Sequence, residues 1–204
     1  MEIKERIITE AGTLFARYGI RSVTMDTLAE EMGISKRTIY ENFRDKDELL
    51  LEVIKFFKLQ QLKEVNEVIK NAENVVVALF SLLRGMINMM KQVNPVFFHD
   101  IRRYHSHIFQ QLEQDGDLRD HSVTRQILSE GIKQGIFKTE YNLELVNLTI
   151  HELFNMFSPE SKLVERGYHR AELFNNVIIP YLTGLTTEKG RALIESQGTI
   201  KNDE

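Results

Sequence analysis

The chain has 204 residues, a formal net charge of −4 and no cysteine. That length suits one or two domains with a sizeable core, and 42% apolar with 27% charged residues is the balance of a soluble globular protein. Disulfides, thiolate catalysis and Cys-based zinc sites are excluded, and the acidic balance means that any nucleic-acid binding must use local positive charge. The N-terminus is charged and helical in pattern, unlike a signal peptide. The most apolar run, Val75 to Met90, contains Arg84 and Asn88 and is short for a membrane span. A cytoplasmic location with no membrane partner is expected.

Residues 3–18 read as an amphipathic helix with Ile3, Ile7, Ala11, Leu14, Phe15 and Tyr18 along one stripe, stopped by Gly19. Thr24 is suited to cap the next helix, whose Met25, Leu28, Ala29 and Met32 share a face. Gly33 breaks it. Ile34 is apolar, as befits a residue under a turn, and Ser35 caps a further helix to about Asn42. Ile39 and Phe43 form the buried side of that helix; Lys36, Arg37, Thr38 and Tyr40 form the other. A helix-turn-helix lays such a second helix in the DNA major groove. Lys and Arg suit guanine edges or phosphates, Thr a base or thymine methyl, Tyr a phosphate. The alternative is an ordinary helical hairpin with a solvated basic face. Gly33 to Lys46 holds four cations (Lys36, Arg37, Arg44, Lys46) against two acids (Glu41, Asp45), a modest local excess.

A long helix then begins at Asp45 and runs through Leu51, Ile54, Phe57 and Leu62 towards Val68 or Ile69. Asp45 and Glu48 fit a capping box, and their charges suit the positive helix end. Lys46 opposes it. Either a phosphate in front of the helix end is gripped there together with backbone N–H groups, or Lys46 is a tolerated surface residue.

The run Gly33-Ile34-Ser35-Lys36-Arg37-Thr38-Ile39-Tyr40, then Asn42-Phe43, then Asp45-Lys46-Asp47-Glu48-Leu49, resembles the DNA-binding signature of TetR/AcrR-type transcriptional regulators. Upstream, Ala11 to Gly19 and Val23-Thr24-Met25 are similar to the family's first helix and the entry to its second. The resemblance covers about the first 60 residues and implies roles there. Thr24 would contact the DNA backbone, Ser35, Lys36, Arg37 and Thr38 bases or phosphates, and Tyr40 and Lys46 would clamp phosphates. Asn42 stands where the family often has His or Tyr; it keeps hydrogen-bonding ability. Arg37 is bulkier than the small residue common at its position.

From residue 74 the chain reads as a second helical domain. Asn94-Pro95 opens a helix over Val96 to Gln114, with Phe97, Ile101, Tyr104, Ile108 and Leu112 at helical steps and Phe98, His105 and Phe109 beside them. Asp115-Gly116-Asp117 reads as a turn, and Leu118 to Lys133 as a helix stopped by Gly135. The segment Gly131 to Phe137 again resembles the family. Asn142 caps a helix through Phe157, halted by Pro159. The last long helix is expected over Ser161 to Leu182, with Pro180 weakening its end. Thr187 to Glu195 suggests a short helical addition, and the tail from Gly198 is expected to fray.

The expected fold is all-α. Residues 1–47 form a three-helix DNA-binding domain of helix-turn-helix type, and residues 48–204 a larger helical domain for ligand binding and dimerisation, the latter role implied by the resemblance. Met is adaptable and suits a ligand cavity, so Met86, Met89, Met90, Phe97, Phe98, Ile101, Tyr104 and His105 are candidate effector-pocket residues; the competing reading is that they are core. Arg102-Arg103 could face an anionic effector, or be solvated. His99, His105 and His107 are spaced poorly for a shared helix face, and His151-Glu152 lacks a second His. No metal, cofactor or catalytic residue is therefore expected. The last two long helices carry Leu145, Leu148, Leu153, Met156, Leu173, Val177 and Tyr181 over wide faces, and would pair between subunits.

The leading reading is a dimeric regulator, a repressor released by a largely apolar small-molecule effector, bound to a palindromic double-stranded operator. An activator or a ligand-independent regulator would carry the same motif. A helical enzyme using His105, His107, His151 and Glu152 is a competing class, but no nucleophile-plus-base spacing or cofactor fingerprint supports it. A helical protein-binding adaptor is a third.

Overall fold

A computed structural model describes residues 2–114, 122–157 and 161–200. Their regular structure is helical, apart from one isolated antiparallel bridge between Phe137 and Thr186. The expected turn at Asp115-Gly116-Asp117, the start of a helix at Leu118 and the halt at Pro159 lie outside the described residues. The chain forms two compact units, residues 1–64 with 89–119, and residues 65–88 with 120–204. The first is larger than the expected 1–47 segment, because it takes in most of a long helix and a returning helical pair.

In the first unit, α1 spans Ile3–Tyr18, α2 Met25–Met32 and α3 Lys36–Asn42. The helix α4, Lys46–Asn71, starts here and crosses into the second unit. Its start is capped as the sequence suggests: Asp45 Oδ1 accepts the Glu48 N–H at 2.8 Å. Glu48 reaches back to the Arg44 N–H, one residue further than a standard capping box.

Three helices alone would bury too little. The returning pair, α6 (Pro95–Tyr104) and α7 (Ser106–Gln114), completes the core. Ile101, Ile108 and Leu112 join Ile7, Ala11 and Phe15 of α1, Leu28 of α2, Ile39 of α3, Phe43, and Leu49 and Leu50 of α4 in one cluster. Asn94 positions the pair. Its side chain caps α6 by accepting from the Val96 N–H, as expected, while its own N–H and amide donate to Ala16 O and Arg17 O at the end of α1. The single helix expected over Val96 to Gln114 is broken at His105, which leaves helical geometry with φ −127° and ψ 30°. Its ring reaches Asp47 instead, Nδ1 to Oδ1 at 2.8 Å. Gly12 lets α4 approach α1: a Cβ there would sit 2.1 Å from a ring carbon of Phe57.

The first unit also buries a charge. Asp100 is 4% exposed, and its Oδ2 accepts the Arg21 N–H at 2.8 Å, fixing the loop that leads from α1 into α2. A buried carboxylate needs such partners.

In the second unit, α5 (Val75–Gln92, ending in the first unit) is capped by Asn74, whose Oδ1 accepts from Val76 and Val77. It is followed by α8 (Ser122–Lys133) and by α9 (Leu143–Phe154), which ends in a tight 3₁₀ turn, Asn155–Phe157. Asn142 caps α9 as the sequence implies. The last long helix differs from expectation. It is interrupted between α10 (Lys162–Glu165) and α11 (Arg170–Leu173), where Glu172 accepts the His169 N–H and starts a new helix. A wide, π-helical stretch, Phe174–Ile178, then precedes Pro180, and α12 (Ile179–Leu185) continues past it. Pro cannot donate to the preceding turn, and the local widening lets the helix absorb that loss. Finally, α13 (Glu188–Gln197) is capped by Thr187. The tail does not fray directly after Gly198: Ile200 is buried and exchanges two hydrogen bonds with the Asn175 side chain, at 2.7 and 3.0 Å.

Replacing Asp100 with Ala leaves the part-buried Arg21 N–H without its acceptor. The expected cost is about 1–3 kcal/mol, read as a fall of several degrees in Tm. An unchanged melting midpoint would show that Asp100 does not hold the loop.

Candidate nucleic-acid interface

The α2–α3 corner is set by three local devices. Thr24 Oγ1 accepts the Thr27 N–H at 3.0 Å and caps α2. Gly33 takes the left-handed conformation, φ 63° and ψ 32°, which closes the helix by returning its N–H to Glu30 O and that of Ile34 to Ala29 O. Ser35 Oγ accepts the Thr38 N–H at 3.0 Å and opens α3. The corner is stiff because every one of these bonds is local.

The two faces of α3 then separate cleanly. Ile39 is 0% and Phe43 1% exposed, against the core. Lys36, Arg37 and Tyr40 lie exposed on the other side, with Thr38 half-buried. The outward cations are not bare. Lys36 Nζ lies 2.8 Å from Asp26 on α2 and 5.9 Å from the centroid of the Tyr40 ring. The hydrogen bond to Asp26 raises its pKa. Arg37 Nε donates to Glu41 Oε1 one turn on, at 2.8 Å, and Arg44 Nε to Asp45 Oδ2 at 2.8 Å. Asp45 is held below the usual carboxylate range, first by the Glu48 N–H and then by Arg44. Exposed pairs of this kind contribute about 0–1 kcal/mol each to stability.

Two other sequence candidates are turned inward. Asn42 Nδ2 donates to Thr38 O at 2.8 Å, back onto its own helix. Lys46 is half-buried. Its ammonium donates to Ile20 O and sits 5.8 Å from the centroid of the Phe15 ring. Burial lowers its pKa, while Asp100 and Asp47 push it up. The cation that looked anomalous in the first turn of α4 thus braces the α1–α2 loop. Beside it, Asp47 receives two imidazoles: His105 at 2.8 Å and His107 Nε2 at 2.9 Å. Two apart on one helix they would face different ways; the break at His105 brings both to one carboxylate.

Residues 7–53 match the sequence profile of bacterial regulatory proteins of the tetR family. Those residues form a helix-turn-helix segment of the TetR type. The chain is 24% identical to the helix-turn-helix-type regulator YvaF of Bacillus subtilis, over 91% of this chain and 96% of YvaF. It is 20% identical to the repressor KstR2 of Mycobacterium tuberculosis, over 67% of this chain and 70% of KstR2. Among solved structures, the fold matches FadR of Bacillus subtilis in complex with stearoyl-CoA, with TM-score 0.68 and 20% identity over 89% of this chain and 98% of FadR. These relatives are regulators, not enzymes, and the TetR helix-turn-helix is a DNA-binding element.

Sequence reasoning did not single out Asp26, Asp100 or Glu41. Glu41 was visible as the i+4 partner of Arg37. Asp26 and Asp100 act across space, with no signal in local spacing. Of the eight pocket candidates, Met86 lies in the second unit and the other seven in the first. Ile101 is core there, and Met89 and Tyr104 are 43% and 42% exposed. The apolar cleft of the second unit is lined instead by Leu79, Ile127, Phe137, Phe154, Tyr181 and Leu182. The periodicity of a helix shows which residues are apolar, not which side of it meets a cavity.

The geometry separates the half-buried Lys46 from the exposed Arg37. Lys46→Ala should lower stability by about 1–3 kcal/mol. Arg37→Ala, at an exposed position, should stay within about 0.5 kcal/mol of the parent. Thermal melts of the two variants test this; equal midpoints would place Lys46 on the surface in function.

Proposed function

We propose that the protein is a homodimeric transcriptional repressor that sets two copies of α3 into successive major grooves of a palindromic operator and is released by an apolar small molecule. The observation that carries the DNA-reading half is the orientation of α3: its inner face is fully buried and its cationic, hydroxyl and phenolic face points to solvent. Arg37, Lys36 and Thr38 are the base or phosphate contacts, and Tyr40 a phosphate contact. Thr24 and Ser35 act at the helix ends, where their hydroxyls already bond backbone amides. Asn42 and Lys46 act from behind, by shaping α3 and the α1–α2 loop.

Two features support the remainder. The exposed face of α9 carries Leu145 and Leu148, 63% and 43% exposed, which suits burial against a second copy. The second unit's cleft is almost wholly apolar, and apolar clefts with few polar groups are the usual small-molecule sites. FadR, of the same fold, binds stearoyl-CoA, which makes long-chain acyl-CoA the first probe. Effector and operator affinities are then coupled reciprocally.

Selection of bound duplexes from a random pool should yield an inverted repeat, with affinity falling steeply as salt rises. A pool that gains no enrichment would refute the DNA-reading half. Stearoyl-CoA should raise Tm and weaken binding to the selected duplex, by a factor of roughly 5–150 if the coupling is typical. Leu145→Glu with Leu148→Glu should shift the light-scattering mass towards one chain; an unaltered dimer mass would move the interface elsewhere.

A further inference from the structure

The two adjacent cations of α3 are held in different ways. Lys36 reaches across the corner to both carboxylate oxygens of Asp26, each at 2.8 Å, and its side chain is 48% exposed. It is tied to the body of the head. Arg37 stands clear of everything but its own helix: its side chain is 87% exposed, and one contact fixes it, Nε to Glu41 Oε1 at 2.8 Å. A guanidinium carries five N–H donors in a planar fork. With Nε occupied by Glu41, the terminal pair of nitrogens remains, and these are spaced to meet the O6 and N7 acceptors of guanine together.

Glu41 is otherwise hard to account for. An exposed ion pair on a seven-residue helix adds little to stability. A carboxylate on the face that meets DNA is repelled by the phosphates lining the groove. It weakens binding to every duplex unless it improves contact with particular ones. A carboxylate that pins Nε does this by limiting the rotamers of a long side chain before contact, so less freedom is lost when the fork meets a base.

We infer that Glu41 is a positioning residue for Arg37, and that together they make guanine the preferred base at one position of each half-site. This rests on the DNA-reading function proposed above and assigns the base that it recognises. Lys36, held by Asp26, serves mainly as a brace and phosphate contact and confers no such preference.

The test uses the full-length protein and duplexes selected from a random pool, with wild type, Glu41→Gln, Arg37→Lys and Arg37→Ala compared. Each variant is first checked for a wild-type melting midpoint, which the exposure of both side chains leads one to expect. Wild type should select guanine at one position per half-site, and replacing that G·C pair by A·T should weaken binding on the order of ten-fold. Arg37→Ala should abolish that preference and Arg37→Lys should weaken it, since a lysine ammonium can reach guanine O6 or N7 but is a point charge without the planar fork. Glu41→Gln is the decisive variant. Affinity for random duplex should rise, because a negative charge leaves the interface, while the guanine preference should fall several-fold. If Glu41→Gln tightens guanine and adenine duplexes equally, Glu41 is only a repulsive charge and the inference is overturned. The same holds if Arg37→Lys keeps the preference at its full wild-type strength. If wild type enriches no duplex at all, the DNA-reading function itself fails. Enrichment without guanine dependence leaves that function standing and removes only the Arg37–Glu41 assignment.

Discussion

The burial of Ile39 and Phe43 is the constraint on which the first unit turns. These side chains hold α3 by its back, at 0% and 1% exposure, so its opposite face has nowhere to go but outward. That grip needs a core larger than three short helices provide. The chain supplies it from a distance: α6 and α7 return after α5 and place Ile101, Ile108 and Leu112 into the same cluster. Polar contacts fix the registry of this return. Asn94 ties it to the end of α1, Asp100 to the Arg21 amide, and the histidines at the α6–α7 break to Asp47. Apolar burial supplies the bulk of the driving force. The polar links choose one arrangement among the many that would bury similar area.

Charge on the head is organised by pairing rather than by excess. The chain is acidic overall, and each outward cation near the corner has an acid within 2.8 Å: Lys36 with Asp26, Arg37 with Glu41, Arg44 with Asp45. Such pairs are weak in water and screened by salt. They hold side chains in defined positions without making the surface sticky to every polyanion. Lys46 follows another rule. It is half out of water, its pKa lowered by burial, and its ammonium is spent on a loop carbonyl.

Much of the first unit was legible from spacing alone. Thr24, Gly33, Ser35 and Asp45 each do locally what their residue types favour, because caps and turns are decided within a few residues of chain. The same holds for Asn94-Pro95 and Asn142. What was illegible involved contacts across space. Nothing near His105 in sequence marks the end of a helix; the break coincides with a hydrogen bond to Asp47, far away along the chain. Lys46 was read as facing solvent because its conflict with the helix dipole was visible and its distant acceptor, Ile20 O, was not. The interruption before Arg170 and the widened turn before Pro180 had markers, Gly167 and the proline itself, but their effect depends on how neighbouring helices pack. Pocket residues were the least legible, since apolar periodicity looks the same whether a face meets core, cleft or another molecule.

Under the proposed DNA-reading function, the shortness of α3 has a consequence for how much information one copy of this chain can extract. Seven residues at about 1.5 Å each make a rod of roughly 10 Å, which spans about three base steps of about 3.4 Å. Three letters recur by chance roughly once in 64 positions, far too often to mark a unique address among the millions a genome offers. Two such rods reading six letters lower that to roughly once in four thousand, and each further letter read through groove shape or flexibility lowers it again. Uniqueness on a chromosome is thus a property no single copy can have, however tightly its helix fits.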